Sequence, residues 1–314
     1  MATINSVNGP LDTSKLGFTL MHEHILSAAP PLLGEYQELL GNSPLERAVD
    51  DLKRAKEGGV DTILDATTPD LGRDVNFLSE VSRQSGVNII ICTGWWLTVP
   101  AIFATLSISQ LTGMFVRNIE KGIAGTGIRA GILKAAADMP GVTPELEKVL
   151  RAVGRAHLKT GVPIMLHSYS PGQVGRQQLV ILKEEGVNPK RIKLDHSNDT
   201  TDTEYLIALL KEGCYLGLDR YPGRNTSPAA RTRTMKALID AGYAGRLCPS
   251  HDRTVVGIQG DNTPPAEIER RKLNPHGYLY IKNVVFPQLK EMGVSDKVIN
   301  GLCVEGPRNF FEGA

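Results

Sequence analysis

Two histidines stand two residues apart in the stretch TLMHEHIL, in a chain that has only 7 histidines. Side chains at positions i and i+2 of a strand point to the same side, so His22 and His24 face together if this stretch is extended. Two imidazoles on one side of a strand can bind one metal ion. The alternative is a pair of core histidines that are hydrogen-bonded to their neighbours, and the pair alone leaves both interpretations open.

Four more metal-competent or titratable side chains lie within or directly after short apolar runs. They are Lys134 in GILKAAAD, His167 in IMLHS, His196 in KLDHS and Asp252 in PSHD. A lysine ammonium repels cations, but burial favours the neutral amine, which can react with carbon dioxide. The resulting carbamate can bridge two metals as a carboxylate does. A lysine that reaches solvent or pairs with Asp138 is the alternative.

The elements that must position these side chains form a regular alternation. Eight short apolar runs have the length of strands: FTLMHEH, DTILDAT, NIIICTGWW, AGILKAA, PIMLHS, IKLDHS, YLGLDR and LCPSHD. Helical segments with start and stop signals separate them. Ser43 and Glu46 have capping-box spacing around Pro44, and a second helix is predicted to begin after the cap Thr143 and to end at Gly161.

This alternation predicts an α/β fold, a (β/α)8 TIM barrel that forms a single domain over residues 1–314. An open doubly wound sheet is the rival, but no GxGxxG follows the first strand. Active sites of such barrels lie at the C-terminal ends of the strands. The six side chains named above are therefore expected at one rim, with the stretch from Gly223 to Ala230 and the segment after LCPSHD as substrate loops.

Composition limits the classes of partner. The net charge of +1 gives no footprint for nucleic acid or an anionic membrane. The densest basic cluster, Arg231 and Arg233, is interpreted as a solvated helix face plus one substrate-loop arginine. Four scattered cysteines fit reduced thiols, and neither a signal peptide nor a membrane-length apolar run is apparent. A cytoplasmic protein is expected.

Together, the segments LMHEH, GIRAGILKAAAD, HSNDTTDTEYL, GLDRY and SHD resemble the phosphotriesterase family of the amidohydrolase superfamily, which includes the phosphotriesterase-like lactonases. The resemblance extends from GPLDTSKLGFTLMHEH to EGPRNFF and implies a barrel with a binuclear metal centre at the strand ends. By position, His22, His24 and Asp252 would hold the buried metal. His167 and His196 would hold the more exposed one.

The resemblance also implies the bridging ligands and the chemistry. Carboxylated Lys134 and a hydroxide would join two divalent ions, with zinc expected first and iron, cobalt or manganese as alternatives. Asp252 would act as the catalytic proton acceptor in metal-assisted hydrolysis of an ester-like bond. Asp219 and Arg220 resemble a pair of residues that support the site, although a salt bridge at the barrel rim would explain them equally.

The substrate features are mixed. KAAADMPGVTPELEKVLRA, the short loop after GLDRY and the position of Arg231 resemble the lactonase branch. Trp96 instead stands where lactonases commonly have tyrosine, as phosphotriesterases tend to do, while Trp95 fits rim packing. Val255, Val256 and Ile258 would add apolar walls for a neutral substrate.

The leading prediction is hydrolysis of lactones, among them N-acyl homoserine lactones and γ- or δ-lactones, with possible phosphotriester turnover as a side activity. A phosphotriesterase or carboxylesterase with the same metal site is the alternative. A barrel that only binds a ligand would be expected to lack a metal ligand, and none is missing. A homodimer is expected by resemblance alone.

Overall fold

The computed structural model describes residues 2–223, 226–257, 272 and 274–313. A hairpin of β1 (Thr3–Ser6) and β2 (Gly9–Asp12) comes first. The strands that follow are, in chain order, β3 Thr19–Ser27, β4 Thr62–Asp65, β5 Asn88–Gly94, β6 Ile132–Ala137, β7 Ile164–Ser168, β8 Ile192–Leu194, β9 Tyr215–Leu218, β10 Leu247–Pro249 and β11 Thr254–Gly257.

These strands form one parallel sheet that closes on itself. The order is β10-β9-β8-β7-β6-β5-β4-β3-β11, so each strand from β3 to β9 pairs with the next in sequence. The chain then passes from β10 directly into β11, which pairs with β3 through Thr254 and His24. In the segment between β10 and β11, the backbone N–H of Asp252 donates to the carbonyl of His22 in β3 at 3.1 Å. The predicted (β/α)8 barrel is confirmed.

Helices connect the successive strands. They are α1 Pro30–Glu35, α2 Pro44–Glu57, α3 Val75–Ser85, α4 Ile108–Glu120, α5 Pro144–Thr160, α6 Gly175–Glu184, α7 Thr203–Glu212 and α8 Pro228–Asp240, with further helices at Phe286–Glu291, Asp296–Cys303 and Glu305–Glu312. Within the described ranges, none of the helices combines the length and the apolar character needed to cross a membrane.

The predicted helix start and end are confirmed for α5, and the predicted cap is only partly confirmed for α2. Thr143 caps α5 by accepting the backbone N–H of Leu146, and Gly161 ends it at a φ of 72°. The helix α2 begins at Pro44 as predicted, but Ser43 has a φ of 47° and makes no side-chain cap bond. A cap residue normally has extended backbone, which aims its hydroxyl at the first turn. The capping-box prediction was therefore wrong in detail.

The barrel interior is layered. An apolar layer near the N-terminal strand ends contains Ile132 of β6, Met165 of β7 and Cys248 of β10, and Phe310 packs into it from the last helix. Because side chains alternate along a strand, the residue two positions further on also points inward. The side chains at these next inward positions are polar, namely Lys134, His167 and Ser250, which places the candidate site at the C-terminal mouth.

Candidate metal centre

The two histidines of β3 both reach the barrel mouth, helped by a bulge. The register of β3 against β4 shifts between Leu20 and Glu23, so β3 carries one more residue than its partner there. Asp65 of β4 accepts a backbone N–H of β3 at 2.8 Å just beyond the bulge. This carboxylate replaces part of the interrupted ladder and holds the strand that presents His22 and His24.

Five predicted ligands converge at the mouth in two groups. Nε2 of His22 and Nε2 of His24 lie 3.4 and 3.3 Å from Oδ1 of Asp252. Nδ1 of His167 lies 2.8 Å from Nε2 of His196. The two groups adjoin, since the His22 and His196 ring centroids are 4.9 Å apart. The structure thus brings together the side chains that the sequence separates by more than two hundred residues.

Lys134 lies within the barrel and is only 1% exposed. Its Nζ donates to the carbonyl of Ala66 at 2.9 Å, and burial lowers the pKa of the amine. It interacts electrostatically with His22 and Asp252. A lysine that reaches solvent is thereby excluded. Gly94 makes room beside it, because an added Cβ would lie 1.8 Å from the Lys134 carbonyl oxygen.

Buried carboxylates lie beside the Nδ1 atoms of two of the imidazoles, on the side away from the shared space. Nδ1 of His22 lies 3.1 Å from Oδ2 of Asp219 and 3.1 Å from Oδ2 of Asp195. The other oxygen of Asp219 is 3.0 Å from Nδ1 of His196 and also accepts the His196 backbone N–H at 2.9 Å. The hydrogen bond from Asp219 fixes the ring of His196, and both rings keep the opposite nitrogen, Nε2, able to bind a metal.

The other two imidazoles have the same arrangement. Nδ1 of His24 lies 2.8 Å from the hydroxyl of Thr67, and Nε2 of His167 lies 2.9 Å from Oδ2 of Asp138. Each of the four rings therefore has an oxygen on one nitrogen, while the other nitrogen faces the shared space. Lys134 does not pair with Asp138 among the ion pairs of the described residues, because that carboxylate is engaged by His167.

The residues fit a pair of divalent cations. Both nitrogens of His22 are buried without a hydrogen bond among the described residues, and Nε2 faces the space shared with His24 and Asp252. The nitrogens of His167 and His196 that face each other at 2.8 Å both carry lone pairs if their far nitrogens donate. Such a contact is repulsive unless a cation lies beside it. Burial lowers the pKa of His22 well below its usual value and that of His167 to about 3, so both rings are neutral, as ligation requires.

A buried ion pair, which was not predicted from the sequence, lies beneath the centre. Lys193 donates to Asp195, and both side chains are inaccessible to solvent. Gly217 on β9 makes room, since an added Cβ would lie 2.4 Å from Oδ1 of Asp195 and 2.5 Å from Oδ2 of Asp219. The alternation in KLDH, with Lys193 and Asp195 on the inward face, was the signal that could have revealed this pair.

Glu23, between the two histidines, points to the other face of β3 and anchors the segment that carries Asp252. Its Oε1 accepts from the Ser250 hydroxyl at 2.7 Å, from the His251 backbone N–H at 3.0 Å and from His251 Nδ1 at 2.7 Å. Its Oε2 accepts from the Arg253 backbone N–H at 3.0 Å. Asp252 is thereby held at a φ of 51°. A charged residue within a buried apolar strand was the available signal.

Arg220 extends the network towards solvent. Its Nε donates to Oδ2 of Asp252 at 3.1 Å, and its Nη1 donates to Asp199. Asp219, the residue before it, instead points inward to the imidazoles, so the two predicted support residues act on different groups. Arg231 is only 1% exposed and lies 2.9 Å from Oδ1 of Asp199. Its contact with substrate stays a prediction, while its burial favours a role in holding Asp199.

The two tryptophans have different surroundings, and contact of Trp96 with substrate stays a prediction. The Trp96 ring is half-buried and stands edge-on to His167, with centroids 5.6 Å apart, whereas Trp95 packs against Phe103 at 4.8 Å. Of the predicted apolar wall, Val255 is partly buried, but Val256 is fully buried in the core and does not line the mouth. The third member, Ile258, lies outside the described residues.

Comparisons with known proteins agree with this geometry. A sequence model of the Phosphotriesterase family matches residues 2–311. The Phosphotriesterase homology protein of Mycobacterium tuberculosis is 39% identical over 99% of this chain and 98% of its own, and the Aryldialkylphosphatase of Saccharolobus solfataricus is 35% identical over 96% of each chain.

A solved structure described as that of the phosphotriesterase from Mycobacterium tuberculosis aligns with a TM-score of 0.91 at 38% identity and covers 99% of this chain and 98% of that one. The family match, the similar structure and the clustered histidines and carboxylates agree. The chain therefore belongs to the phosphotriesterase family and is a metal-dependent hydrolase of ester bonds.

Proposed function

We propose that the protein is a binuclear metal-dependent lactonase with a side activity on phosphotriesters. The observation that carries the hydrolase part is the convergence of four imidazoles, Asp252 and Lys134 at the C-terminal mouth of the barrel. N-acyl homoserine lactones and other γ- or δ-lactones are the proposed substrates. From the sequence pattern we also propose a single domain over residues 1–314 and a cytoplasmic location, and by resemblance a homodimer.

The ligands divide between two sites. His22, His24 and Asp252 would hold the more buried ion, and His167 and His196 the more exposed one. Two divalent ions, zinc first and iron, cobalt or manganese as alternatives, would lower the pKa of a shared water and polarise the scissile carbonyl or phosphoryl group.

Lys134 is the proposed bridging residue. Burial favours its neutral amine, which can form a carbamate with carbon dioxide. The carbamate has two oxygens and would bridge the ions as a carboxylate does, together with a hydroxide. The side chain enters from β6, and among the described residues its Nζ donates to the carbonyl of Ala66 and forms no ion pair.

Asp252 is the proposed proton acceptor. Its Oδ1 faces the imidazoles of β3, and its Oδ2 is held by Arg220 at 3.1 Å. It would take the proton of the attacking water and deliver it to the departing oxygen. Arg220 keeps its proton, orients the carboxylate and adds positive charge beside the reacting group.

The preference for lactones rests on the segment from β6 into α5 and the short loop after GLDRY, which resemble the lactonase branch. Trp96 offers an apolar wall beside His167 and suits a neutral substrate. The second candidate is a phosphotriesterase or a carboxylesterase. Trp96 favours it, as does the similarity to a protein named Aryldialkylphosphatase.

The test is one comparison of rates. The protein is loaded with zinc and bicarbonate, and proton release is followed on N-acyl homoserine lactones, simple γ- and δ-lactones and an aryl dialkyl phosphate, with Asp252→Asn as the blank. Lactone turnover well above phosphate turnover is expected. Faster turnover of the phosphate than of every lactone would favour the second candidate. Absence of turnover on all of these compounds would rule out both lactones and phosphotriesters as substrates.

A further inference from the structure

Asp138 is the first residue after β6, and its carboxylate is fixed at the barrel mouth. Oδ2 lies 2.9 Å from Nε2 of His167, and Oδ1 accepts the backbone N–H of Met139 at 2.7 Å. The Asp138 carbonyl also accepts the N–H of Gly141 at 2.6 Å, which closes a tight turn. Both carboxylate oxygens are thus committed, and the backbone that carries them is constrained.

The contact with His167 decides which ring nitrogen carries the proton. A carboxylate accepts hydrogen bonds, so Nε2 of His167 donates and Nδ1 keeps its lone pair. That lone pair faces Nε2 of His196, which lies 2.8 Å away. Nδ1 of His196 is held by Asp219, so both rings present an unprotonated nitrogen to the same point.

We propose that Asp138 is a positioning residue that acts through His167 and sets the affinity of the more exposed metal site alone. The inference rests on the binuclear centre proposed above and deepens it. The imidazoles of β3 contact other groups: His24 is hydrogen-bonded to Thr67, and His22 lies 3.1 Å from both Asp195 and Asp219. Removal of Asp138 therefore leaves the more buried site supported as before.

The exposure of Asp138 separates this role from a structural one. Its side chain is 38% exposed, whereas the carboxylate of Asp219 is fully buried. Water can replace the lost hydrogen bond when Asp138 is shortened, so the fold tolerates the change. Water does not fix the ring of His167 in one orientation and one tautomer, and the selective effect on metal binding remains.

The experiment measures zinc per chain by dialysis of metal-depleted protein against zinc buffers over a wide range of free zinc, with bicarbonate present. The wild type is expected to bind two zinc ions per chain. Asp138→Ala should weaken one of the two by about 10–100-fold and leave the other unchanged. Asp138→Asn keeps one acceptor oxygen and should show a smaller loss. Asp50→Ala, at an exposed position of α2, is the matched control and should behave as the wild type.

Thermal unfolding of the metal-free variants checks the fold independently of zinc. Equal weakening of both zinc sites, or unchanged binding at both, in a folded Asp138→Ala protein would overturn the role of Asp138. A wild type that binds fewer than two zinc ions per chain would overturn the binuclear centre, and with it this inference. The two failures are therefore distinguishable.

Discussion

Replacement of Glu23 by glutamine measures how far the segment around Asp252 depends on one buried carboxylate. Glutamine has nearly the shape of glutamate but offers one acceptor end where glutamate offers two. If the amide oxygen takes the position of Oε1, it can still accept from Ser250 and from both donors of His251. Its amide nitrogen then faces the backbone N–H of Arg253, so that hydrogen bond is lost.

The magnitude follows from these four contacts. One buried donor without an acceptor costs about 1–3 kcal/mol. The three remaining bonds change from charge-assisted to neutral, at about 1 kcal/mol each. Relief from burying a charge offsets part of this loss. We expect Glu23→Gln to lower the free energy of unfolding by about 3 kcal/mol, which leaves a folded protein if the wild type has ordinary stability of about 5–15 kcal/mol.

The assay is urea-induced unfolding of metal-free protein, so that zinc does not contribute to the measured stability. Zinc affinity is measured in parallel, because a looser segment would no longer hold Asp252 at its φ of 51°. Glu57→Gln, on the exposed face of α2, is the matched control and should stay within about 0.5 kcal/mol of the wild type. A Glu23→Gln protein as stable as this control would refute the reasoning. Lower stability with unchanged zinc affinity would show that other contacts suffice to place Asp252.

Three further substitutions test other parts of the centre. Gly217→Ala should lower stability by about 1–3 kcal/mol and weaken zinc binding, because an added Cβ would lie 2.4 Å from a carboxylate oxygen of Asp195. The control is Gly245→Ala, where an added Cβ meets nothing within 4 Å, and equal melting temperatures of the two variants would contradict the close packing. Lys134→Ala should lose zinc and hydrolysis, with partial recovery on addition of a short carboxylic acid, and absence of recovery would argue against the carbamate bridge. Asp252→Asn should abolish hydrolysis while circular dichroism stays unchanged, and near wild-type turnover at equal zinc content would remove Asp252 from the reaction.

The sequence was sufficient for features that depend on neighbouring residues. The apolar run around Lys134 predicted its place in a barrel strand, and the i, i+2 spacing put His22 and His24 on one side of β3. The cap of α5 by Thr143 is a contact across three residues. Each of these follows from local backbone geometry, and the barrel then brings the strand ends to one mouth.

Features that depend on distant partners could not be predicted in the same way. Glu23 stands out in the sequence as a charge within an apolar strand, but its partners could not be predicted because they lie 227 to 230 residues further along. Asp195 acquires its role only where Gly217 of the neighbouring strand leaves space for it. Arg231 was expected near substrate by resemblance, which stays a prediction, but its burial beside Asp199 depends on a partner that the sequence does not identify. In each case the chemistry is set by which strand ends become neighbours.

Arg220 decides how a proton can leave Asp252 in the proposed reaction. Its guanidinium joins Asp252 on one side to Asp199 on the other, and a guanidinium remains protonated in proteins. A proton accepted by Asp252 therefore cannot pass through Arg220, and has to go to water or to the departing oxygen. An aryl oxide departs as an anion and needs no proton, whereas the alkoxide of a lactone does. Ring opening also keeps that alkoxide tethered in the mouth beside Asp252, so direct transfer serves lactones better than aryl phosphates.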